Sequence, residues 1–157
     1  MPSRAERTYG TVSPQRRSEM TGLAFVRGLA DGTLPLNTLA GTLGYKVSEA
    51  ERALAPNDGH LNPAGTVHGG IAATLLDSCM GLAVQSTLAA GVGQTTVEFK
   101  ITLVRPITPQ TGEIKAKGVV LNSGRRIGTA EGRTTDRDGK LLAHGTTTCL
   151  IFESERL

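Results

Sequence analysis

The sequence predicts an α+β fold in which a curved antiparallel sheet wraps around one long central helix, with an extra helix near the N-terminus. Two features of the chain predict it. Residues 70–88 form a run that is apolar on most sides, as expected for a helix buried within a fold. From residue 95 onwards, runs rich in Thr, Val and Ile alternate with short turns. These runs predict four strands in an antiparallel meander, because parallel crossovers would need longer connections.

The elements before the central helix are shorter. Residues 1–14 hold few large apolar groups and are expected to form a loose arm. Residues 15–30 carry apolar side chains mostly three or four positions apart, which predicts an amphipathic helix ending near Gly32. The segments that follow are, in order, one or two helical turns (36–43), a strand (44–54) and a loop (55–67).

The four later strands are separated by turn-forming residues. They are predicted at 95–104, 112–121, 126–135 and 141–152. The separators contain Pro106–Pro109, Asn122–Gly124 and Asp136–Gly139. The chain therefore divides into an N-terminal arm and helix, residues 1–40, and one larger domain, residues 41–157.

Composition limits the classes of function. A chain of 157 residues is one domain, large enough for a real core. The net charge of +3 and the pI near 9.1 suit an anionic small molecule. Aromatic residues make up 3% of the chain and Trp is absent, so little material is available for base stacking. The composition therefore favours a small-molecule site over nucleic acid.

The two cysteines, Cys79 and Cys149, lie in apolar contexts and belong to no CxxC or Cys/His pair. They are expected to be buried free thiols, and no metal site is predicted. The N-terminal residues are polar and basic, unlike a secretory signal, and no run approaches the length of a membrane span. A cytoplasmic protein is expected.

Asp77 is the exceptional residue of the predicted central helix. It lies in the apolar run AATLLDSCMGLA, and Asp is a poor helix former at interior positions. An ionised carboxylate in apolar surroundings is costly unless it is paired or hydrogen-bonded. Two interpretations stay open at this point, a carboxylate on a solvated stripe of the helix or a functional group.

The segment before the helix offers a possible site for a negatively charged oxygen. The first N–H groups of a helix have no internal partner and lie at the positive end of its dipole. Gly69 and Gly70 have no side chains to shield these groups, which is the geometry of an oxyanion hole. Asn62, in the preceding loop, can both donate and accept hydrogen bonds. A tight turn into a crowded helix would explain the two glycines equally well.

The distance between the two features has a consequence for assembly. Gly69 and Asp77 are eight residues apart, which is about 12 Å along a helix axis. They are too far apart to act on one small carbonyl group within one chain. If both belong to a site, each is expected to meet its counterpart from a second subunit, at a dimer interface.

The motif His60-x-Asn62-x-x-Gly65-x-x-His68-Gly69-Gly70, followed by Leu75-x-Asp77, resembles the hotdog-fold acyl-CoA thioesterases of the phenylacetate-pathway (PaaI) type. The resemblance covers residues 41–152. It implies the hotdog fold, dimers whose sheets join, and usually homotetramers. It also implies hydrolysis of an acyl-CoA to a free acid and CoA, with no cofactor, because CoA is part of the substrate.

The resemblance also implies roles for individual residues. Asp77 would be the general base or the nucleophile, and Gly69 would donate its N–H to the thioester carbonyl across the interface. Asn62 would orient the attacking water or the thioester, and His68 would support the loop. The residues implied in substrate binding are Gly70, Thr96, Arg105, Arg125 and Arg126. Arg125 and Arg126 are equally well explained as solvated turn residues.

Two other functions are compatible with the same fold. An enoyl-thioester hydratase or dehydratase on the same fold would need a paired His and carboxylate, which the spacing does not provide. A non-catalytic acyl-CoA-binding module would have no use for Asp77. His144 lies in a strand pattern and is expected to be structural. The acyl group stays open between aromatic and short or medium chains, and neither nucleic acid nor a membrane is expected as a partner.

Overall fold

The central helix and the sheet around it confirm the α+β prediction. The computed structural model describes residues 7–48 and 51–153. The helices are α1 (Pro14–Ser18), α2 (Gly22–Asp31), α3 (Thr38–Leu43) and α4 (Gly69–Gln85). The strands are β1 (Lys46–Ser48), β2 (Glu51–Leu54), β3 (Val92–Leu103), β4 (Ile114–Ser123), β5 (Ile127–Thr135) and β6 (Leu141–Glu153). Short 3₁₀ turns lie at Asp58–His60 and Pro109–Thr111.

Helix α4 is the predicted central helix, and it packs against the sheet along most of its length. Leu75, Leu76 and Met80 are fully buried between the helix and the strands. The sheet approaches the helix most closely at Gly118 of β4, where a Cβ atom would lie 2.3 Å from the carbonyl oxygen of Cys79. Only glycine allows this approach, so the helix and the sheet lie in direct backbone contact at that point.

The strand order is β1-β2-β4-β5-β6-β3, and every pairing is antiparallel. Strands β4, β5 and β6 form the predicted meander. The prediction is wrong for β3, which pairs with β6 instead of β4. The connection between β3 and β4, residues 104–113, crosses three strand spacings, or about 14 Å. An extended chain of that length can reach roughly 33 Å, so the crossing needs no helix.

The N-terminal helix predicted at residues 15–30 is broken into α1 and α2. A new helix begins after Thr21, because Thr21 Oγ1 accepts a hydrogen bond from the Ala24 N–H at 3.2 Å and so caps the N-terminus of α2. Gly22 then packs against the end of α4, where a Cβ atom would lie 1.7 Å from the carbonyl oxygen of Gln85. The predicted end is confirmed, since Gly32 has a φ of 89° and terminates α2.

The region between α2 and the loop follows the prediction in part. The helical turns expected at 36–43 are confirmed as α3. The single strand expected at 44–54 is wrong, because β1 and β2 are two short strands that pair with each other, Lys46 opposite Ala53. Strand β2 then joins the larger sheet through β4, so a local hairpin forms its edge.

The expected loose arm is wrong for the residues of it that the structure describes before α1. The guanidinium of Arg7 donates to the carbonyl oxygens of Leu29, at 2.7 Å, and Ala30, at 3.1 Å. Backbone hydrogen bonds also join Leu36 to Thr8 and Gly10. The carbonyl oxygens of Leu29 and Ala30 lie at the end of α2 and have no hydrogen-bond partner within the helix, so the side chain of Arg7 supplies one. The part of the prediction that falls on residues 1–6 lies outside the described residues.

One hydrophobic core includes residues from both predicted segments of the chain. Leu29, Leu34 and Leu36 from the N-terminal segment are buried in the same cluster as Leu75 and Leu76 of α4. The division at residue 40 stays a prediction. Among the described residues, no helix has both the length and the apolar character needed to cross a bilayer.

Candidate active site

Asp77 lies on the wall of an open cavity of about 330 Å³. Its side chain is half-buried, on the same face of α4 as Ser78 and Gly81, which also line the cavity. Asp77 Oδ1 accepts a hydrogen bond from Thr96 Oγ1 at 2.8 Å. The carboxylate is therefore held in a defined position and does not point into bulk solvent, which favours the functional interpretation of this residue.

A β-bulge in β3 follows Thr96, the residue that contacts Asp77. Thr96 pairs with Cys149 and Glu98 pairs with Thr148, so Val97 is an extra residue without an opposite. Before the bulge, the side chains of Gln94 and Thr96 face α4, and Gln94 Nε2 donates to Gly81 O at 3.1 Å. After the bulge, odd-numbered residues face the helix, which places Leu103 against the start of α4.

The N-terminal segment supplies the outer wall of this cavity. Gly10, Thr11 and Val12 of the arm, Arg17 of α1, and Phe25 and Leu29 of α2 all line it. The hydrogen bonds from Arg7 to the end of α2 hold this wall together. Residues outside the motif therefore shape the space beside Asp77.

Sequence reasoning missed two residues of this cavity, Arg52 and Gln94. Arg52 is 2% exposed and lies on β2; Val47 of β1 and Tyr45, just before β1, are also in the cavity lining. One signal could have found it. Residues two apart on a strand face the same side, so Arg52 belongs to the inner face with the buried Leu54. Burial lowers the pKa of Arg52 because it disfavours the charged form.

The start of α4 forms a separate cleft of about 250 Å³, lined by Asn62, His68, Gly69, Leu103 and Arg105 among others. His68 caps the helix, since its Nδ1 accepts from the Gly70 N–H at 2.9 Å. The Ile71 N–H donates to the His68 carbonyl oxygen at 2.9 Å. Within the described part of the chain, the Gly69 N–H makes no hydrogen bond. It is therefore a free donor at the positive end of the helix dipole.

Asn62 holds the loop that leads into this cleft. Its Nδ2 donates to Thr66 Oγ1 at 2.8 Å, and its Oδ1 accepts from the Ala64 N–H at 2.9 Å. Gly65, with a φ of 80°, closes the turn in a conformation that favours glycine. One N–H of the Asn62 amide stays available to a ligand, because each amide nitrogen carries two.

The structure does not bring Asp77 and Gly69 together within one chain. Among residues 7–48 and 51–153, none lines both the cavity of Asp77 and the cleft of Gly69. Thr96 belongs to the first, whereas Asn62, His68 and Arg105 belong to the second. This separation agrees with the spacing of about 12 Å expected along the helix.

The predicted substrate-binding arginines lie at opposite ends of β3. Arg105 follows the end of β3 beside the Gly69 cleft, and its guanidinium donates to the carbonyl oxygen of Leu141. Arg125 and Arg126 lie in the hairpin between β4 and β5, in a cleft with Val92 at the beginning of β3. Since β3 has 12 residues, its two ends are about 40 Å apart.

The other two histidines, His60 and His144, lie in different environments. His60 is buried, with its Nδ1 accepting from the Asn57 N–H and its Nε2 beside the Leu43 carbonyl oxygen. His144 is exposed on β6, opposite Arg133 of the neighbouring strand. In the described part of the chain, no three His, Cys, Asp or Glu side chains are placed to hold a metal ion.

Both cysteines are buried free thiols, as expected. Burial raises the pKa of Cys79 to about 12, and burial likewise raises the pKa of Cys149. Neither thiol is therefore ionised near neutral pH, and neither has the properties of a nucleophile.

Comparison with known proteins gives consistent matches. The sequence pattern of the thioesterase superfamily matches residues 64–143, about half of the chain. A Halobacterium salinarum protein that bears the name of an esterase is 41% identical over 69 residues, which are 43% of this chain and 44% of that protein. Mouse acyl-coenzyme A thioesterase 13 is 35% identical over 88 residues, which are 55% of this chain and 61% of that protein. The chain thus spans about half the length of these curated relatives.

A solved structure extends the similarity to most of the chain. A phenylacetic acid degradation-related protein from Ralstonia eutropha superposes with a TM-score of 0.71 and 29% sequence identity. The match covers 80% of this chain and 98% of that one.

Proposed function

Since this chain belongs to the thioesterase superfamily, we propose that it hydrolyses acyl-CoA thioesters to the free acid and CoA, as a member of the phenylacetate-pathway type. The observation that carries the proposal is the Asp77 carboxylate, held by Thr96 on the wall of a cavity. The name of the mouse relative supports CoA as the thiol part of the substrate. The reaction uses water, the thioester and the residues described above, with no metal or cofactor.

The thioester carbonyl carbon is attacked either by a water molecule that Asp77 activates or by Asp77 itself. As a base, the carboxylate takes a proton from water, whose oxygen then attacks the carbon. As a nucleophile, it attacks the carbon itself and forms an anhydride that water cleaves. In both cases CoA leaves as the thiolate, and the free N–H of Gly69 donates a hydrogen bond to the oxygen that gains negative charge.

A homodimer with shared sites brings the two groups together. Strand β3 is an edge of the described sheet, and its side chains Val97, Phe99 and Leu103 are 57%, 42% and 54% exposed. A long apolar edge strand favours pairing with another strand. Antiparallel pairing of two β3 edges, centred on Phe99 and Lys100, would set Thr96 of one protomer opposite the partner's Leu103, at the end of β3 that lies beside Gly69. Asp77 of one protomer would then approach the partner's Gly69.

The same dimer would bring arginines of the two protomers close together. Antiparallel pairing of the β3 edges would place Arg125 and Arg126 of one protomer on the side of the partner's Arg105. Together they would form a basic surface suited to the phosphates of CoA. We assign Gly70 and Thr96 to the substrate-binding residues of the same shared site.

A tetramer is the larger assembly that we propose. Val119, Leu121 and Ile127 are exposed on the outer face of β4 and β5. Their apolar side chains would be covered if two dimers packed with these faces together.

We also propose that the protein works in the cytoplasm, in keeping with its two buried free thiols.

The alternative enzyme, an enoyl-thioester hydratase, finds less support in the site. Such an enzyme would pair a histidine with a carboxylate, and no histidine is among the described residues that line the Asp77 cavity. Crotonyl-CoA, assayed for hydration and for thiol release in parallel, separates the two reactions. Release of thiol without hydration is the expected result.

The direct test is thiol release from a series of acyl-CoA substrates, from short aliphatic through medium-chain to phenylacetyl and hydroxybenzoyl. We expect Asp77→Asn to lower kcat by about 10²- to 10⁴-fold, because the amide can neither take the proton nor attack. Asp58→Asn, at an exposed position away from both clefts, is the matched control. Near-normal turnover by Asp77→Asn, or thiol release from none of the substrates, would contradict the proposal.

Co-expression tests whether the site is shared. Asp77→Asn and Gly69→Pro would be carried on separately tagged chains, each inactive alone. A mixed dimer keeps one site with both groups intact, so random mixing should restore about a quarter of the wild-type activity. The control places both changes on one chain and pairs it with an unmodified chain. Mixed dimers purified through both tags then have no doubly intact site and should be inactive, whereas the mixed dimers of the test should keep about half of the wild-type activity. If the separately tagged chains recover nothing when mixed, the two groups do not meet across an interface.

A further inference from the structure

The cavity beside Asp77 contains a buried cation without an anionic partner in the described part of the chain. Arg52 is 2% exposed, and arginine is seldom so deeply buried without a partner. Its Nη1 donates to the carbonyl oxygen of Glu51 at 2.9 Å, whereas its Nε is buried and makes no hydrogen bond. Neither ion pair found among the described residues includes it.

The neighbours of Arg52 do not neutralise it. The thiol of Cys79 interacts with Arg52, and burial raises the pKa of this thiol to about 12, so it offers no negative charge near neutral pH. A buried charge is costly unless it is paired or hydrogen-bonded. The fold therefore carries a cost that an anionic ligand in this cavity would remove.

Gln94 gives a second, independent indication of a polar ligand. Its Nε2 donates a hydrogen bond to the Gly81 carbonyl oxygen, whereas its Oε1 is buried and has no hydrogen-bond partner. It lines the same cavity as Arg52. The charged side chains of this lining are Arg17, Arg52 and Asp77, so positive charge exceeds negative charge. A purely aliphatic acyl chain would leave the polar atoms of Arg52 and Gln94 without partners.

We propose that Arg52 binds a carboxylate at the far end of the acyl group, so that the preferred substrates are CoA thioesters of short dicarboxylic acids. The inference rests on the proposed thioesterase function. Asp77 and Arg52 line the same cavity without forming an ion pair, which leaves space between the reacting carbonyl and the terminal carboxylate. The planar guanidinium suits a carboxylate because it can donate two parallel hydrogen bonds.

The test compares glutaryl-CoA with pentanoyl-CoA, which have the same number of acyl carbons and differ in the terminal carboxylate. We expect the wild-type protein to show a kcat/KM at least about tenfold higher for glutaryl-CoA, the effect of one charge-assisted hydrogen bond. Arg52→Met, which replaces the aliphatic stem of the side chain and removes the guanidinium, should remove most of this preference, and Arg52→Lys should restore part of it.

Two further variants separate Arg52 from other positive charges. Arg17 is exposed and also lines the cavity, whereas Arg27 is exposed on α2 and does not. We expect Arg27→Met to keep the glutaryl preference and Arg17→Met to reduce it less than Arg52→Met does. A preference that depends on Arg17 and is unaffected by Arg52→Met would overturn the inference.

The outcomes also distinguish this inference from the proposed function. Thiol release from neither substrate overturns both. Equal cleavage of the two substrates by the wild-type protein supports the thioesterase function and overturns the role of Arg52. Because this comparison uses the unmodified protein, equal cleavage overturns the inference even if Arg52→Met fails to fold, which thermal unfolding would reveal. A glutaryl preference is then assigned with Arg52→Lys and Arg17→Met.

Discussion

Replacing Gly69 with proline removes one backbone donor from the start of α4 without breaking a hydrogen bond within the helix. Proline is favoured at the first position of a helix, where its missing N–H has no partner within the helix. His68, which precedes it, has φ −58° and ψ 133°, the extended conformation that a residue before proline adopts. The Gly69 N–H makes no hydrogen bond in the described part of the chain, so its loss breaks no internal contact.

The expected effect on catalysis is large. Loss of one donor to an oxyanion costs about 10²- to 10³-fold in kcat, or about 2.7–4 kcal/mol. A second effect must be separated from it. A Cβ atom at position 69 would lie 2.8 Å from Leu103 Cδ1, so any side chain there displaces Leu103 and costs about 1–3 kcal/mol of stability.

Gly69→Ala is the matched control, because it adds the same Cβ atom and keeps the N–H. Both variants should lose similar stability in thermal unfolding. In steady-state thiol-release assays, only Gly69→Pro should lose kcat by the expected factor. If Gly69→Pro is no more impaired than Gly69→Ala, the free N–H at the start of α4 does not act on the thioester.

Three further predictions use other contacts. Thr96→Val removes the hydrogen bond to Asp77 and should lower kcat about tenfold, the effect of one bond to a charged group; the neighbouring exposed Thr95→Val should match the wild type in the same assay. Phe99→Lys places a charge on the exposed edge strand and should shift a dimer towards monomer in sedimentation velocity, with loss of activity. A dimer that withstands this change would remove β3 as the interface. Ellman's reagent should find no reactive thiol in the native protein and 2 after unfolding in guanidinium, because both cysteines are buried; a rapidly reacting thiol in the native protein would contradict the structure.

Local sequence patterns predicted most of the helices and strands. The apolar run around Asp77 gives α4, and the alternation of β-branched residues with turns gives β4, β5 and β6. The position of β3 could not be derived in the same way, because strand pairing is decided by packing across the whole sheet. A connection that crosses three strand spacings carries no signal of its own in residues 104–113.

The site was predictable where backbone geometry follows from sequence. Gly69 at the start of a helix and Asp77 two turns later predicted two separated groups, and the structure has them in separate clefts. Thr96 was placed by resemblance, but the bulge after it, which lets both Thr96 and Leu103 face α4, depends on one unpaired residue, Val97. Arg52 was missed because a charged residue on a short strand is ordinarily placed outside.

The cavity beside Asp77 has two sources in the chain. The matched thioesterase pattern, residues 64–143, supplies the carboxylate, whereas the arm, α1, α2 and β2 supply the opposite wall. Changes in the first fifty or so residues can therefore alter which acyl chains fit, while the reacting groups stay as they are.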